Sequence, residues 1–264
     1  MAGKTIAVVL KIATWNVNSI RVRLPQVLDW MAVESPDILA LQETKTVNAL
    51  FPVEEFRQLG FQTICNGQKT YNGVAIISKV PASDLIGDLP AFPDQQKRLL
   101  YARFGAVAVL NLYIPNGSAI GSEKYAYKLE WLAHLQSFVH EQLCKTELLV
   151  VLGDFNIAPA DADVHDPEAW RGQVLVSAAE REQFFQLIDK GLVDCYRLFN
   201  PEGNGFTWWD YRASSFERNR GLRIDHILAS RQLAGHCKIC RIDTAPRKRE
   251  GPTDHAPVIA VFEL

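Results

Sequence analysis

The chain has almost no net charge: 28 Lys and Arg stand against 30 Asp and Glu, a formal balance of −2. This excludes a bulk electrostatic pull toward polyanions or acidic membranes, so any nucleic-acid affinity has to come from local patches. The chain is also poor in cysteine. Its five, Cys65, Cys144, Cys195, Cys237 and Cys240, are odd in number and scattered, which argues against a disulfide framework and fits a reducing compartment. The one C-x-x-C, CKIC at 237 to 240, has no second pair to complete a zinc site, and strand geometry would send Cys237 and Cys240 to opposite faces. No membrane span is expected. The amino-terminal stretch MAGKTIAVVLKIATW is interrupted by Lys11, is too short to cross a bilayer and lacks a small-residue cleavage site, so it reads as a first strand of a cytoplasmic protein. Low-complexity tracts, repeats and Gly/Ser linkers are missing. With 264 residues, 48% of them hydrophobic, one domain spanning 1–264 is expected.

What is present is alternation. Apolar, β-rich runs recur at IAVVLKIATW, DILALQE, GVAIIS, AVAVLNLYI, LLVVLGDF, RIDHILA and PVIAVFEL. Helical patterns lie between several of them, at LPQVLDWMAVE, YAYKLEWLAHLQSFVHEQL and SAAEREQFFQLIDKGL, the last closing on Gly191. This is the signature of an α/β protein.

Polar residues concentrate where the apolar runs end: Asn16 and Asn18, Gln42 and Glu43, Tyr113 and Asn116, Asp154 and Asn156, Asp225, and Asp254 with His255. Asp or Asn after a strand commonly caps a turn, and each residue alone could do only that. Their joint occurrence predicts one acidic, amide-rich cleft at the strand ends. Its donors are oxygens plus one imidazole, a set that suits Mg²⁺ or Mn²⁺ rather than zinc. A hard ion held by one or two carboxylates keeps positions open for phosphate oxygens, as in metal-assisted phosphodiester chemistry. His255 could act as a base when neutral or as a donor when charged, with Asp225 as its orienting carboxylate. There is no G-x-S-x-G elbow and no P-loop, which disfavours serine acyl transfer and P-loop nucleotide hydrolysis.

The motifs TWNVNSIR, LALQETK, YNGVAIIS, NLYIPNG, GDFNIAP, FTWWDYR, NRGLRIDHILAS and TDHAPV, in that order across nearly the whole chain, resemble the exonuclease III family of abasic-site endonucleases. The resemblance implies a four-layer α/β sandwich, two packed mixed β-sheets flanked by helices, as in deoxyribonuclease-I-like phosphodiesterases. It further implies Mg²⁺-dependent hydrolysis of DNA phosphodiesters in base-excision repair, with Mn²⁺ able to substitute. Position by position, Glu43 resembles the principal metal ligand, with Asn16 and Asp254 near the metal. Asp154 resembles the aspartate that positions or deprotonates the attacking water, Asn156 a donor to the scissile phosphate, and Tyr113 a phosphate contact or aid to the leaving group. His255 with Asp225 resembles the His-Asp pair at the phosphate; whether Asp154 or His255 is the base stays open here.

Substrate contacts are expected from Asn116, from Trp208 against the deoxyribose, and from Leu222 as a pocket wall. Cations for DNA phosphates are sought among Arg218, Arg220 and Arg223, Lys124 and Lys128, Lys97 and Arg98, and Arg247 to Arg249 beside the TDH motif. His165, in the loop after GDFNIAP, stands where some relatives carry a small residue such as glycine. An imidazole there would fill volume that an extrahelical abasic sugar must enter, yet leave a 3′ terminus free to reach the metal. The expected partner is double-stranded DNA with abasic sites or blocked 3′ ends, in the cytoplasm of a bacterium, with no membrane and no obligate protein partner. The alternatives are an inositol-phosphate or lipid phosphodiesterase of the same fold, or a catalytically silent nucleic-acid binding module. No long basic or regulatory amino-terminal extension precedes the first strand, which suggests a stand-alone repair enzyme.

Overall fold

A computed structural model describes residues 8–203 and 205–264; residues 1–7, where the first expected strand begins, lie outside them. Among the described residues there are two six-stranded mixed sheets. The first contains β1 (Val9–Asn16), β2 (Ile38–Gln42), β3 (Gln62–Asn66), β4 (Val74–Ser78), β11 (Cys237–Ile242) and β12 (Val258–Glu263), in the order β11-β12-β1-β2-β4-β3. The second contains β5 (Ser83–Ile86), β6 (Leu99–Phe104), β7 (Val107–Tyr113), β8 (Leu149–Asp154), β9 (Leu192–Asp194) and β10 (Asp225–Ser230), in the order β5-β6-β7-β8-β10-β9. Helices α1 (Ile20–Glu34) and α2 (Val53–Gln58) accompany the first sheet, and α3 (Glu123–Lys145) and α5 (Ala178–Asp189) the second. Short helices α4 (Pro167–Trp170), α6 (Cys195–Phe199) and α7 (Arg231–Ala234) lie in connections. The expected four-layer sandwich is the observed one.

Strand alternation makes the layers. In β8, Val150 and Leu152 enter the core between the sheets while Leu149 and Val151 face α3 and α5, as the period of two requires. In β1, Ile12 faces the partner sheet and Ala13 and Trp15 face α1. Carried to the strand ends, the same period aims Asn16, Gln42, Tyr113, Asp154 and Asp225 into the mouth between the two sheets. The pairings agree: Asn16 is opposite Gln42, Tyr113 opposite Asp154, and Asp154 opposite Asp225 at the start of the antiparallel β10. Beneath that mouth the apolar core gives way to a polar step, in which Gln42 donates to Thr14 at 2.9 Å and to Asn111 at 2.7 Å.

Two differences from the sequence reading have local causes. Helix α1 begins at Ile20, before the expected LPQVLDW segment, and carries Pro25 inside. In β11 a bulge between Cys237 and Ile239 adds a residue, so Cys237 and Cys240 oppose Phe262 and Ala260 and both turn toward the inter-sheet core. They share a face instead of straddling the strand. Among the described residues no helix is long and apolar enough to cross a membrane.

Candidate active site

The turn after β8 shows why GDFN is needed. Gly153 has φ +136°, and a Cβ there would meet the Leu112 carbonyl oxygen at 1.9 Å, so only glycine lets β8 lie this close to β7. Asp154 follows at the strand end, and Asn156 adopts φ 51°, its amide N donating to Asp154 Oδ1 at 2.9 Å. On the opposite sheet Glu43 and Lys45 are also left-handed, at φ 50° and 54°. Bonds on both sides fix that strained turn: Ser19 N donates to the Glu43 carbonyl at 2.8 Å and Lys45 N to that of Asn72 at 2.9 Å.

Glu43, Asp154 and His255 converge, each offering one ligand atom within 4.8 Å of the others. Asn16 Nδ2 bridges the two carboxylates, donating to Glu43 Oε1 at 2.8 Å and Asp154 Oδ2 at 2.9 Å, while its Oδ1 accepts from Asn18 N at 3.0 Å. Its amide is fixed from both ends with the NH₂ turned toward the two carboxylates. Asp254 stands next to His255 in the chain. It lies outside the three-residue cluster, its Oδ1 accepting from Asn18 at 3.0 Å and its Oδ2 from Trp208 Nε1 at 3.0 Å. Burial opposes its ionisation, but His255 and these donors hold the Asp254 carboxyl below its ordinary range.

His255 Nδ1 stands 2.8 Å from Asp225 Oδ2, and its Nε2 is 3.8 Å from Asp154 Oδ2. Burial opposes charge on the ring, but Asp225 and Asp154 outweigh it and raise its pKa, which favours imidazolium. Burial also raises Asp154; His255 and Asn16 pull it back, and the carboxylates of Asp225 and Glu43 push it up again. Burial, and then Glu43 and Asp154, push the Tyr113 phenol well up, so it remains a donor; Arg98 stacks 4.8 Å from its ring centroid. The donor chemistry fits a hard divalent cation on Glu43 and Asp154, whose charges such an ion would offset. A protonated His255 is a hydrogen-bond donor beside them.

The residues expected to contact substrate lie along a wall of isolated antiparallel pairings, Val164 with Leu222, Leu222 with Trp208, and Trp208 with His255. Trp208 is half-buried at the mouth, whereas Trp209 is a core residue. Asn116 is exposed and donates to Asn156 Oδ1 at 3.0 Å. Leu222 has no exposed surface, so it backs Trp208 instead of lining a pocket. His165 is half-buried at the end of this wall, its backbone N and its Nδ1 both set on the Gly221 carbonyl, at 3.1 and 3.2 Å.

Several expected DNA cations are spoken for. Arg223 is buried, with Asp163 at 2.5 Å and Asp194 at 2.8 Å. Lys128 is buried against Glu180, and Arg247 lies under Trp209, Tyr211 and Phe216 while donating to the Thr253 carbonyl. Lys97 and Arg249 are not enclosed in this way: their pairs with Asp88 and Asp29 lie at the surface. Arg218, Arg220, Lys124 and Lys248 remain on the surface. The sequence reading missed Lys45, which pairs with Glu43 at 2.9 Å and donates to Asn18 at 2.5 Å, although it stood inside the LQETK motif.

The pattern that defines the Endonuclease/Exonuclease/phosphatase family matches residues 13–255. The chain belongs to that family. It is 35% identical to exodeoxyribonuclease III of Haemophilus influenzae, over 96% of this chain and 100% of that protein. Among solved structures it resembles the 3′ phosphatase NExo from Neisseria bound to a product DNA hairpin, with 48% identity, a TM-score of 0.95, and coverage of 97% and 100% of the two chains. An AP endonuclease from Archaeoglobus fulgidus is 40% identical, with a TM-score of 0.94 over 97% of this chain and 100% of that one.

Proposed function

We propose that this chain is a Mg²⁺-dependent DNA-repair enzyme that clears blocked 3′ ends, phosphate or sugar fragments, in preference to incising internal abasic sites. Family membership and full-length likeness to exodeoxyribonuclease III make it a DNA-repair phosphodiesterase. The preference is carried by His165, whose ring is pinned on the Gly221 carbonyl at the end of the wall that runs through Trp208 to His255. An abasic sugar with DNA on both sides would have to pass that ring, and extrusion already has an unstacking cost. A terminal phosphate would not. The likeness to NExo, a 3′ phosphatase by name, supports the same choice.

Glu43 and Asp154 would hold the ion, which supplies Lewis-acid stabilisation of the phosphoryl oxygens. Asp154 and His255 divide the proton work. Asp154, held by Asn16 beside the ion, takes the proton of the attacking water; His255, set on Asp225 at 2.8 Å, donates to a phosphoryl oxygen. Asn156 spends one amide hydrogen on the Ile114 carbonyl at 3.0 Å and offers the other to the phosphate, and Tyr113 donates its phenol proton. The test compares a duplex with a 3′-phosphate nick against one with an internal abasic site, in wild type and His165→Gly. Wild type should favour the 3′ phosphate, and the substitution should move the ratio toward internal incision. Equal wild-type rates, or an unchanged ratio, would remove His165 as a gate.

A further inference from the structure

Lys128 has no exposed side-chain surface, and its ammonium is spent on partners inside the protein. Its Nζ donates to Glu180 Oε1 at 2.5 Å, to the Asn156 carbonyl at 2.7 Å and to the Asn116 carbonyl at 3.1 Å. Three N–H groups meet three acceptors. Two of those acceptors are the main-chain carbonyls of the two carboxamide residues at the mouth of the site, which come from different connections, one after β7 and one after β8. Both connections are strained: Asn156 is left-handed, and Asn116 is followed by Gly117 at φ 94° and Ser118 at φ 59°. The lysine stem also shapes the first of them, since a Cβ on Gly117 would lie 3.2 Å from Lys128 Cδ.

Glu180 has its own task. It closes the capping box of α5, accepting from Ser177 N at 3.1 Å and Ser177 Oγ at 2.6 Å, and it accepts from Leu175 N at 3.0 Å. A pair whose only duty was to join α3 to α5 could be replaced by apolar side chains without loss, because burying charge is costly. What apolar side chains could not do is draw two carbonyl oxygens onto one point. We propose that Lys128 is a positioning residue: its ammonium locks the carbonyls of Asn116 and Asn156 together so that their linked carboxamides meet the scissile phosphate in one fixed orientation. This rests on the reading of Asn156 as a phosphate donor.

The test uses the double variant Lys128→Met/Glu180→Gln, which leaves no unpaired buried charge and keeps a residue able to close the capping box, alongside Glu180→Gln alone. Thermal unfolding first confirms that each protein is folded at the assay temperature. With Mg²⁺ and a 3′-phosphate duplex, the double variant should lose about tenfold to a hundredfold in kcat, the scale of a small misplacement of a reacting group, with KM changed less than about threefold. Glu180→Gln should lose stability but keep near-wild-type kcat, because the lysine still holds both carbonyls. In ¹⁵N spectra of the free protein, the side-chain NH₂ signals of Asn116 and Asn156 should shift and broaden in the double variant alone. A folded double variant with wild-type kcat and unmoved NH₂ signals would overturn the proposal. The spectra need no turnover, so they judge Lys128 even if wild type acts on neither a 3′-phosphate nor an abasic duplex, a result that would count against the proposed function instead.

Discussion

Asp225 Oδ2 and His255 Nδ1 stand 2.8 Å apart although 30 residues separate them in the chain, and both residues are buried. A carboxylate placed there keeps the imidazole charged and in one orientation. His255→Asn and Asp154→Asn should each lower kcat by about two orders of magnitude or more with KM little changed, as the proposed action of both on the transition state requires. Asp225→Asn should be milder, since it removes orientation and charge but not the ring. Steady-state kinetics on a 3′-phosphate duplex checks the order; a larger loss at Asp225 than at His255 would give the aspartate a role of its own.

Metal dependence should follow the hard donor set of Glu43 and Asp154. Excess EDTA should abolish turnover and Mg²⁺ or Mn²⁺ restore it. Glu43→Gln, with one ligand weakened, should need several times more Mg²⁺ for half-maximal rate, read from a titration. Full activity in EDTA would exclude metal-assisted hydrolysis.

His226 gives a pH test away from the metal site. Burial, and then the neighbouring Arg223 guanidinium, depress its pKa from 6.5 to about 3. Its Nε2–H is set on the Ile157 carbonyl at 2.9 Å and its Nδ1 accepts from Arg223 at 3.0 Å, so the native ring is neutral. Below pH 6.5 the unfolded chain binds a proton that the folded one refuses, so the stability tied to this ring is complete above that pH and is lost as pH falls toward 3. His226→Gln, which can keep both bonds, removes the linkage. Urea unfolding of the two proteins should therefore show wild type losing about 1.4 kcal/mol per pH unit relative to the variant between about pH 5.5 and 4. A constant difference would mean the ring titrates normally.

Arg220 and Arg223 should behave oppositely. Arg223→Met leaves Asp163 with Arg197 alone and takes the guanidinium from half-buried Asp194, and should cost about 3 kcal/mol of stability. The salt slope of DNA binding, measured on the folded fraction, should not change. Arg220→Ala on the exposed wall should leave stability alone and reduce the slope of log K against log salt by about 0.9 if it meets one phosphate. Identical slopes for Arg220→Ala and wild type would remove Arg220 from the contact surface.

These two arginines show what the sequence could and could not reveal. Residues at strand ends were legible because the period of two carries Val150 and Leu152 on to Asp154, and Ile12 on to Asn16, along one face. Of the strands that escaped notice, β5 and β9 are short and lie at sheet edges, where a run of three or four residues has little periodicity to show, whereas β6 is a six-residue interior strand. Charge was the least legible property. Lys128, Arg223 and Arg247 look like surface cations in sequence, and only the fold shows that Glu180, Asp163 with Asp194, and a cluster of aromatic rings enclose them. Asn16 was found as a site residue, but its role as a donor between Glu43 and Asp154 depends on two carboxylates brought from different sheets. The bulge that turns Cys237 and Cys240 to one face leaves no mark in CKIC.

Strand β12 lies between β11 and β1, and Val8 and Leu264 exchange backbone hydrogen bonds of 2.9 Å across that seam. The Thr253-Asp254-His255 turn sits immediately ahead of β12, and Thr253 Oγ1 donates to the Asn16 carbonyl at 2.9 Å. During synthesis, therefore, a nascent chain carries Asn16 and Glu43 on a sheet whose edge at β1 is still unpaired, and Asp154 on the other sheet, for a long interval. It has neither the histidine nor the strand that would seat it. His255 and the strand that joins β11 to β1 arrive within the same few residues, so the expected site and its first sheet are completed together.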